Sequence, residues 1–159
     1  MPAVLITGAS RGLGFEIARQ YALEGWRVIA CCRKPEEAIA LKSLEPTARD
    51  MVSVVTMDVT DNDTVRNAAS TLKDVVIDIL INSAGIAGVP GQITGHIDYA
   101  SWARVLDVNT MGPLRVLEAF TDSLARSKRR LVVTITSGMG SLADNTSGGR
   151  SPTVAPKRP

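Results

Sequence analysis

The stretch Ala3-Val4-Leu5-Ile6-Thr7-Gly8-Ala9-Ser10-Arg11-Gly12-Leu13-Gly14 decides the fold. Ala3 to Thr7 is an apolar run without polar alternation, as a strand buried on both faces requires. Gly8 closes the run, and Leu13, Ile17 and Tyr21 then follow at the spacing of one helical face. Strand, glycine-rich turn and helix in that order leave backbone N–H groups at a helix N-terminus, where the dipole favours an anion. The glycines follow G-x3-G-x-G rather than G-x-G-x-x-G, yet the physics is shared. Gly8, Gly12 and Gly14 permit a tight turn, and a missing Cβ lets backbone approach phosphate oxygens. With Ser10, Arg11 and Leu13 completing the loop, we expect it to hold the pyrophosphate of a dinucleotide.

Outward from this unit the same alternation continues. Gly25 is placed to end the first helix as a C-terminal cap. Arg27 to Cys32 repeats the buried-strand pattern, and Pro35-Glu36-Glu37 opens a short helix with proline and acids in its first turn. Met51 to Met57 reads as a third strand, Asp63 to Lys73 as a helix capped by Thr60 or Asp61, and Val76 to Ile81 as a fourth strand. A Gly- and Pro-containing loop runs to Gly95. Asp98 to Arg126 reads as helical, with Leu106, Leu114, Leu117 and Leu124 on an apolar side and Pro113 required to kink or split it. Leu131 to Thr136 is the fifth strand. Strands alternating with helices predict an α/β, Rossmann-type doubly wound parallel sheet with right-handed crossovers.

Composition narrows the function. The 159 residues suffice for one domain. We place the nucleotide-binding domain at 1–140 and a coil or disordered tail at 141–159, where no apolar period survives and Pro152, Pro156 and Pro159 cluster. Lys plus Arg total 18 and Asp plus Glu 16, a net charge of +2. Arg150, Lys157 and Arg158 sit in the last thirteen residues, so the rest of the chain carries no basic footprint for nucleic acid or anionic lipid. No apolar run has the length of a membrane span or of a signal h-region. Adjacent Cys31 and Cys32 give neither a disulfide framework nor a metal-ligand spacing, which fits a reducing cytoplasm and a protein without a metal site. The expected partner is a small molecule.

At the end of the second strand, where an acid would read a ribose 2′-hydroxyl, the chain has Cys32-Arg33-Lys34. Arg33, with Arg11 from the glycine loop, can instead clamp a 2′-phosphate, so NADP is expected in preference to NAD. Solvated arginines are the alternative.

Taken together, these residues resemble the short-chain dehydrogenase/reductase family. Thr7 to Gly14 matches its T-G-x3-G-x-G loop, Asp58-Val59 its adenine-contacting pair, and Asn82-Ser83-Ala84-Gly85 its N-N-A-G with Ser for the second Asn. Asn109 in Val108-Asn109-Thr110 resembles the family's helical catalytic Asn, and Ser137 in Thr136-Ser137-Gly138 its catalytic Ser. The segment Ser141 to Gly149 is most similar to the C-factor and sniffer-type carbonyl reductases. The resemblance implies hydride transfer between a nicotinamide and a carbonyl or alcohol carbon. Ser137 would bond the substrate oxygen and Asn109 would organise a proton-relay water. It further implies that Asn82, Ala84 and Gly85 border the cofactor, and that intact relatives are homo-oligomers, an assembly this chain is not expected to keep.

One departure stands out. The family's proton donor lies in a Tyr-x-x-x-Lys motif about a dozen residues after the serine, but the chain's two tyrosines are Tyr21 and Tyr99. Codons for Ser151 to Pro159 read in a shifted frame permit Ala-Tyr-Arg-Arg-Ser-Lys, with tyrosine and lysine near that place. We therefore expect a chain truncated or frameshifted before the motif, with the later family elements missing. A natural short form, a non-catalytic NADP-binding or regulatory protein, and a non-functional product remain as alternatives.

Overall fold

The computed structural model describes residues 1–44, 51–92 and 95–137. Five parallel strands form one sheet: β1 Ala3–Thr7, β2 Arg27–Cys32, β3 Val52–Thr56, β4 Ile79–Asn82 and β5 Leu131–Thr134. Their spatial order is β3-β2-β1-β4-β5, so the chain reverses direction across the sheet between β1 and β4. An open parallel sheet binds ligands beyond its strand C-termini at such a reversal. The helices are α1 Gly12–Leu23, α2 Ile39–Leu44, α3 Asn62–Thr71, α4 Tyr99–Leu106 and α5 Gly112–Ala125. The Rossmann-type architecture expected from the alternation is the observed one. The expected tail at 141–159 and the domain limit at 140 lie outside the described residues.

Helices cover both faces of the sheet, which explains the apolar runs. Leu5, Ile29 and Leu80 point into one layer with Val65, Val116, Phe120 and Leu124. Val4, Ile6, Val28, Ala30, Ile79 and Ile81 point into the other, with Ala18, Ala22 and Leu41. Alternate residues of each central strand thus bury on opposite faces.

Several local expectations shift. In α1 the buried positions are Gly14, Ala18 and Ala22, whereas Leu13 is 56% exposed. Small residues let this helix lie close to the sheet, and the larger apolar side chains flank the contact. Gly25, at φ +77°, takes the left-handed position just past the helix end, as expected. The helix expected from Pro35 divides into a 3-10 turn, Pro35–Glu37, and α2. β4 begins at Ile79 rather than Val76, because the Ile77 N–H bonds the Ser123 carbonyl of α5 instead of a neighbouring strand. β5 ends at Thr134, although Ile135 N–H still bonds Asn82 C=O at 2.9 Å.

The long helix from Asp98 is capped by the Asp98 carboxylate, which accepts from Ser101 N–H at 2.9 Å. Pro113 has no N–H for the Asn109 carbonyl, and the chain adjusts one residue earlier by a π turn over Asp107–Met111. There the Gly112 N–H bonds the Asp107 carbonyl. The buried stripe runs through Val105, Val108, Gly112, Val116, Phe120 and Leu124. Of the expected leucines, Leu124 is buried and Leu117 packs partly on the core, but Leu106 and Leu114 are exposed. The extra residue of the π turn rotates the two halves of the helix relative to a single 3.6-residue period.

Candidate active site

A cleft of about 890 Å³ opens along the C-terminal ends of the strands. The glycine loop gives it Gly8, Ser10, Arg11, Gly12, Leu13 and Gly14, and β2 gives Cys32 and Arg33. Met57, Asp58 and Val59 follow β3, Ser83, Ala84, Gly85 and Ile86 follow β4, and Ile135, Thr136 and Ser137 follow β5. Val108 of the π turn closes the remaining side.

The glycine loop leads directly into the N-terminus of α1. Arg11 occupies the N-cap of α1 without a side-chain cap bond, and the first turn holds no acid. No N-cap side chain therefore answers its leading N–H groups, and Gly12, Leu13 and Gly14 of this first turn line the cleft. Gly12, at φ +58°, has nothing within 4 Å of where a Cβ would stand, so its open side faces the cleft rather than packed protein. Gly8 and Gly14 serve packing instead. A Cβ on Gly8 would lie 2.7 Å from Ala84 Cα, and one on Gly14 would lie 2.5 Å from the Gly8 carbonyl oxygen. The loop is thereby pressed against the β4 exit. The buried Thr7 hydroxyl accepts from Ser83 and Ala84 N–H, both at 3.1 Å, and Ala9 N–H reaches Cys31 C=O at 3.1 Å.

After β3, Asp58 Oδ1 accepts from Thr60 N–H at 2.9 Å and Thr60 Oγ1 at 2.7 Å, which shapes the turn that carries Val59. Thr64 Oγ1 accepts from Asp58 N–H, and Asp61 caps α3. At the far wall, Asn109 binds Ile86 through both ends of its carboxamide. Oδ1 accepts from Ile86 N–H and Nδ2 donates to Ile86 C=O, each at 2.9 Å.

Twelve of the fourteen sequence-predicted site residues line the cleft together, Ser137 included. The other two are Asn109, which stands behind Ile86, and Asn82, which is 3% exposed at the end of β4. Among the described residues the buried Asn82 Oδ1 has no hydrogen-bond partner. Cys32, Met57, Ser83, Ile86, Val108, Ile135 and Thr136 also line the cleft. Apart from Val108, which the π turn carries, their signal was position, at the end of a strand or in the loop that follows it. Burial pushes the Cys31 thiol well above its ordinary range, and burial raises Cys32 as well, so neither is poised as a thiolate. Neither tyrosine lines the cleft: Tyr21 packs edge-on against Trp26 at 4.9 Å, and Tyr99 is 70% exposed.

Sheet order, glycine loop and cleft define a Rossmann-type nucleotide-binding fold. The family model for short chain dehydrogenases matches residues 2–148, and the chain belongs to that family. It is 36% identical to human (Homo sapiens) retinol dehydrogenase 5 over 149 residues, which is 91% of this chain and 45% of that protein. It is 47% identical to C-signal of Myxococcus xanthus over 73 residues, 46% of this chain and 43% of that one. The crystal structure of a carbonyl reductase from Pseudomonas aeruginosa PAO1 in complex with NADP superposes with a TM-score of 0.84 at 31% identity. That match covers 97% of this chain and 69% of the reductase. The chain thus spans about half the length of retinol dehydrogenase 5, and its match to C-signal likewise covers less than half of that relative. Among the described residues no helix is long and apolar enough to cross a membrane, and no cluster of metal-binding side chains occurs.

Proposed function

We propose that this chain forms the nucleotide-binding part of an NADP-preferring short-chain oxidoreductase that acts on a carbonyl or secondary alcohol. The uncapped N-terminus of α1, facing the cleft beneath the open side of Gly12, carries the reading. Gly12, Leu13 and Gly14 would hold the pyrophosphate by backbone N–H groups, and Asp58 and Val59 would border the adenine. Arg11 and Arg33 both line the cleft and would supply charge for a 2′-phosphate. NADP, when bound, supplies hydride. Ala84, Gly85 and Ile86 would form the wall along the nicotinamide half, and Ser137 would donate to the substrate oxygen. Asn109 acts by fixing Ile86, and Asn82 supports the same strand end from within the sheet. The NADP complex of the reductase from Pseudomonas aeruginosa supports the choice of nucleotide. The unpaired cysteines suit a reducing cytoplasm.

The 159-residue chain itself would bind nucleotide but turn over poorly, because Tyr21 and Tyr99 both lie off the cleft. A positioned acid contributes about 10²–10⁴ in rate. Titration with NADPH and NADH by fluorescence tests both halves of the proposal. Saturable binding with NADPH preferred is expected. Arg33→Ala should weaken NADPH by about tenfold while leaving NADH nearly unchanged, the effect of one charge-assisted contact. Absence of saturable binding overturns the reading, and carbonyl turnover at the rate of an intact relative overturns the claim of impaired chemistry. The second reading, a non-catalytic NADP-binding or regulatory protein, is favoured by the same placement of the tyrosines and is supported if NADPH binds without turnover.

A further inference from the structure

We infer that Arg115 is a positioning residue for the adenine end of the cleft, acting through the backbone of Val59. The inference rests on the dinucleotide reading above. Arg115 stands in the first turn of α5, outside the cleft, and its guanidinium spans two elements. Nη1 donates to the Val59 carbonyl, and Nη2 donates to Asp107 Oδ1 at 2.9 Å. Asp107 opens the π turn, and its own carbonyl takes the Gly112 N–H that closes that turn. One side chain therefore ties the turn after β3 to both ends of the irregular segment between α4 and α5.

The contact is steric as well as polar. A Cβ on Gly112 would stand 2.9 Å from Val59 Cγ2, so the helix seats against Val59 only because residue 112 has no side chain. Arg115 and Asp107 remain just 20% and 32% exposed, and this partial shielding strengthens their ion pair relative to a surface one. The same π turn carries Val108 into the cleft and Asn109 behind Ile86. A guanidinium is suited to this task, since its planar fork serves a carbonyl and a carboxylate at once. No charge of Arg115 needs to reach the ligand. It fixes where the Val59 backbone stands, and Val59 borders the space for the base.

The test compares the intact 159-residue chain with Arg115→Met, Arg115→Lys and Asp107→Asn. Arg126→Met is the stability control, because Arg126 also bonds carbonyls, those of Lys73 and Val75, but at the far end of α5. Adenosine 2′,5′-bisphosphate is the probe, followed by calorimetry, with amide hydrogen exchange over residues 58–61 in the free protein. Arg115→Met should weaken the probe by about tenfold and accelerate exchange at 58–61, as expected when a buried carbonyl loses a charged donor. Arg115→Lys should recover part of the affinity, and Asp107→Asn should lose less than Arg115→Met. Arg126→Met should lower the melting temperature without changing either readout. Unchanged affinity and exchange in folded Arg115→Met, or equal loss in Arg126→Met, overturns the inference. If Arg115→Met does not fold, parent-like affinity and exchange in both Arg115→Lys and Asp107→Asn do so. Should the parent chain fail to bind the probe, the dinucleotide reading fails, and exchange still decides whether Arg115 holds Val59.

Discussion

Asn109 and Ile86 are joined by a closed pair of hydrogen bonds, carboxamide to peptide, each 2.9 Å long. This pair locks the π turn to the loop after β4. A carboxamide can imitate a peptide unit because it presents one acceptor and donors in a plane. Asn109→Ala should leave the Ile86 N–H and C=O to find water, at a cost of about 1–2 kcal/mol. Asn109→Asp keeps the acceptor but loses the donor and should fall between. Denaturant unfolding of the three chains checks the order, and equal stability of all three would remove the pair from the account.

Gly12 and Gly14 should separate binding from stability. Gly14→Ala drives a Cβ to 2.5 Å from the Gly8 carbonyl oxygen, and backbone cannot swing aside as a side chain can. A loss at the upper end of the ~1–3 kcal/mol typical of overpacking is expected. Gly12→Ala meets no atom, so its cost is the left-handed backbone alone, roughly 1–2 kcal/mol. Its methyl group instead enters the space proposed for the pyrophosphate. Gly12→Ala should therefore lower NADPH affinity more than its melting temperature implies, which paired melts and titrations will reveal.

Asp78 gathers the opposite end of the sheet. Its carboxylate accepts from Ala3 N–H at 2.8 Å and from the Ser127 hydroxyl at 2.6 Å. Burial opposes its ionisation, but the bonds from Ser127 and Ala3, with Arg129 nearby, outweigh burial and hold the carboxyl below its ordinary 3.8. A carboxyl depressed in the folded state stabilises above its unfolded value and loses that contribution as pH falls through the folded one. Asp78→Asn should destabilise the chain by about 1–2 kcal/mol at neutral pH. The gap from the parent should narrow below about pH 4. Denaturation curves between pH 2 and 7, about the range over which carboxylates titrate, provide the check. A gap that stays constant with pH would assign the effect to shape rather than charge.

The β5 edge should make the isolated chain self-associate. Leu131 and Val132 are 47% and 38% exposed, and among the described residues β5 is an edge strand with no further strand paired beyond it. Light scattering should show mass rising with concentration, and Val132→Lys should suppress the rise. A monodisperse monomer at all concentrations would count against an open edge.

Much of this was legible in the chain because the signals are local. The unbroken apolar runs of β1 and β2 announced strands covered on both faces, and glycines between strand and helix announced the tight turn at the cleft. Asp58, Ala84 and Ser137, picked out by their motifs, line the cleft. The helix carrying Pro113 was harder to read, because proline dictates that one bond is missing and not how the backbone recovers. The π turn changes the helical phase between Leu106 and Leu124, which is why Leu106 faces solvent, whereas Leu114 lies beyond that turn and sits beside the buried stripe of α5 rather than on it.

What the sequence by itself determined is the succession of strands and helices, the glycine loop and the family, since each is carried by short motifs read in chain order. Tertiary structure decided which polar groups answer one another across it. Thr7 holds the backbone of Ser83 and Ala84, Asn109 holds Ile86, and Arg115 holds Val59 across 56 residues of chain. None of these pairs has a sequence period, because each arises where separate elements are brought within hydrogen-bonding distance by the burial of their apolar faces.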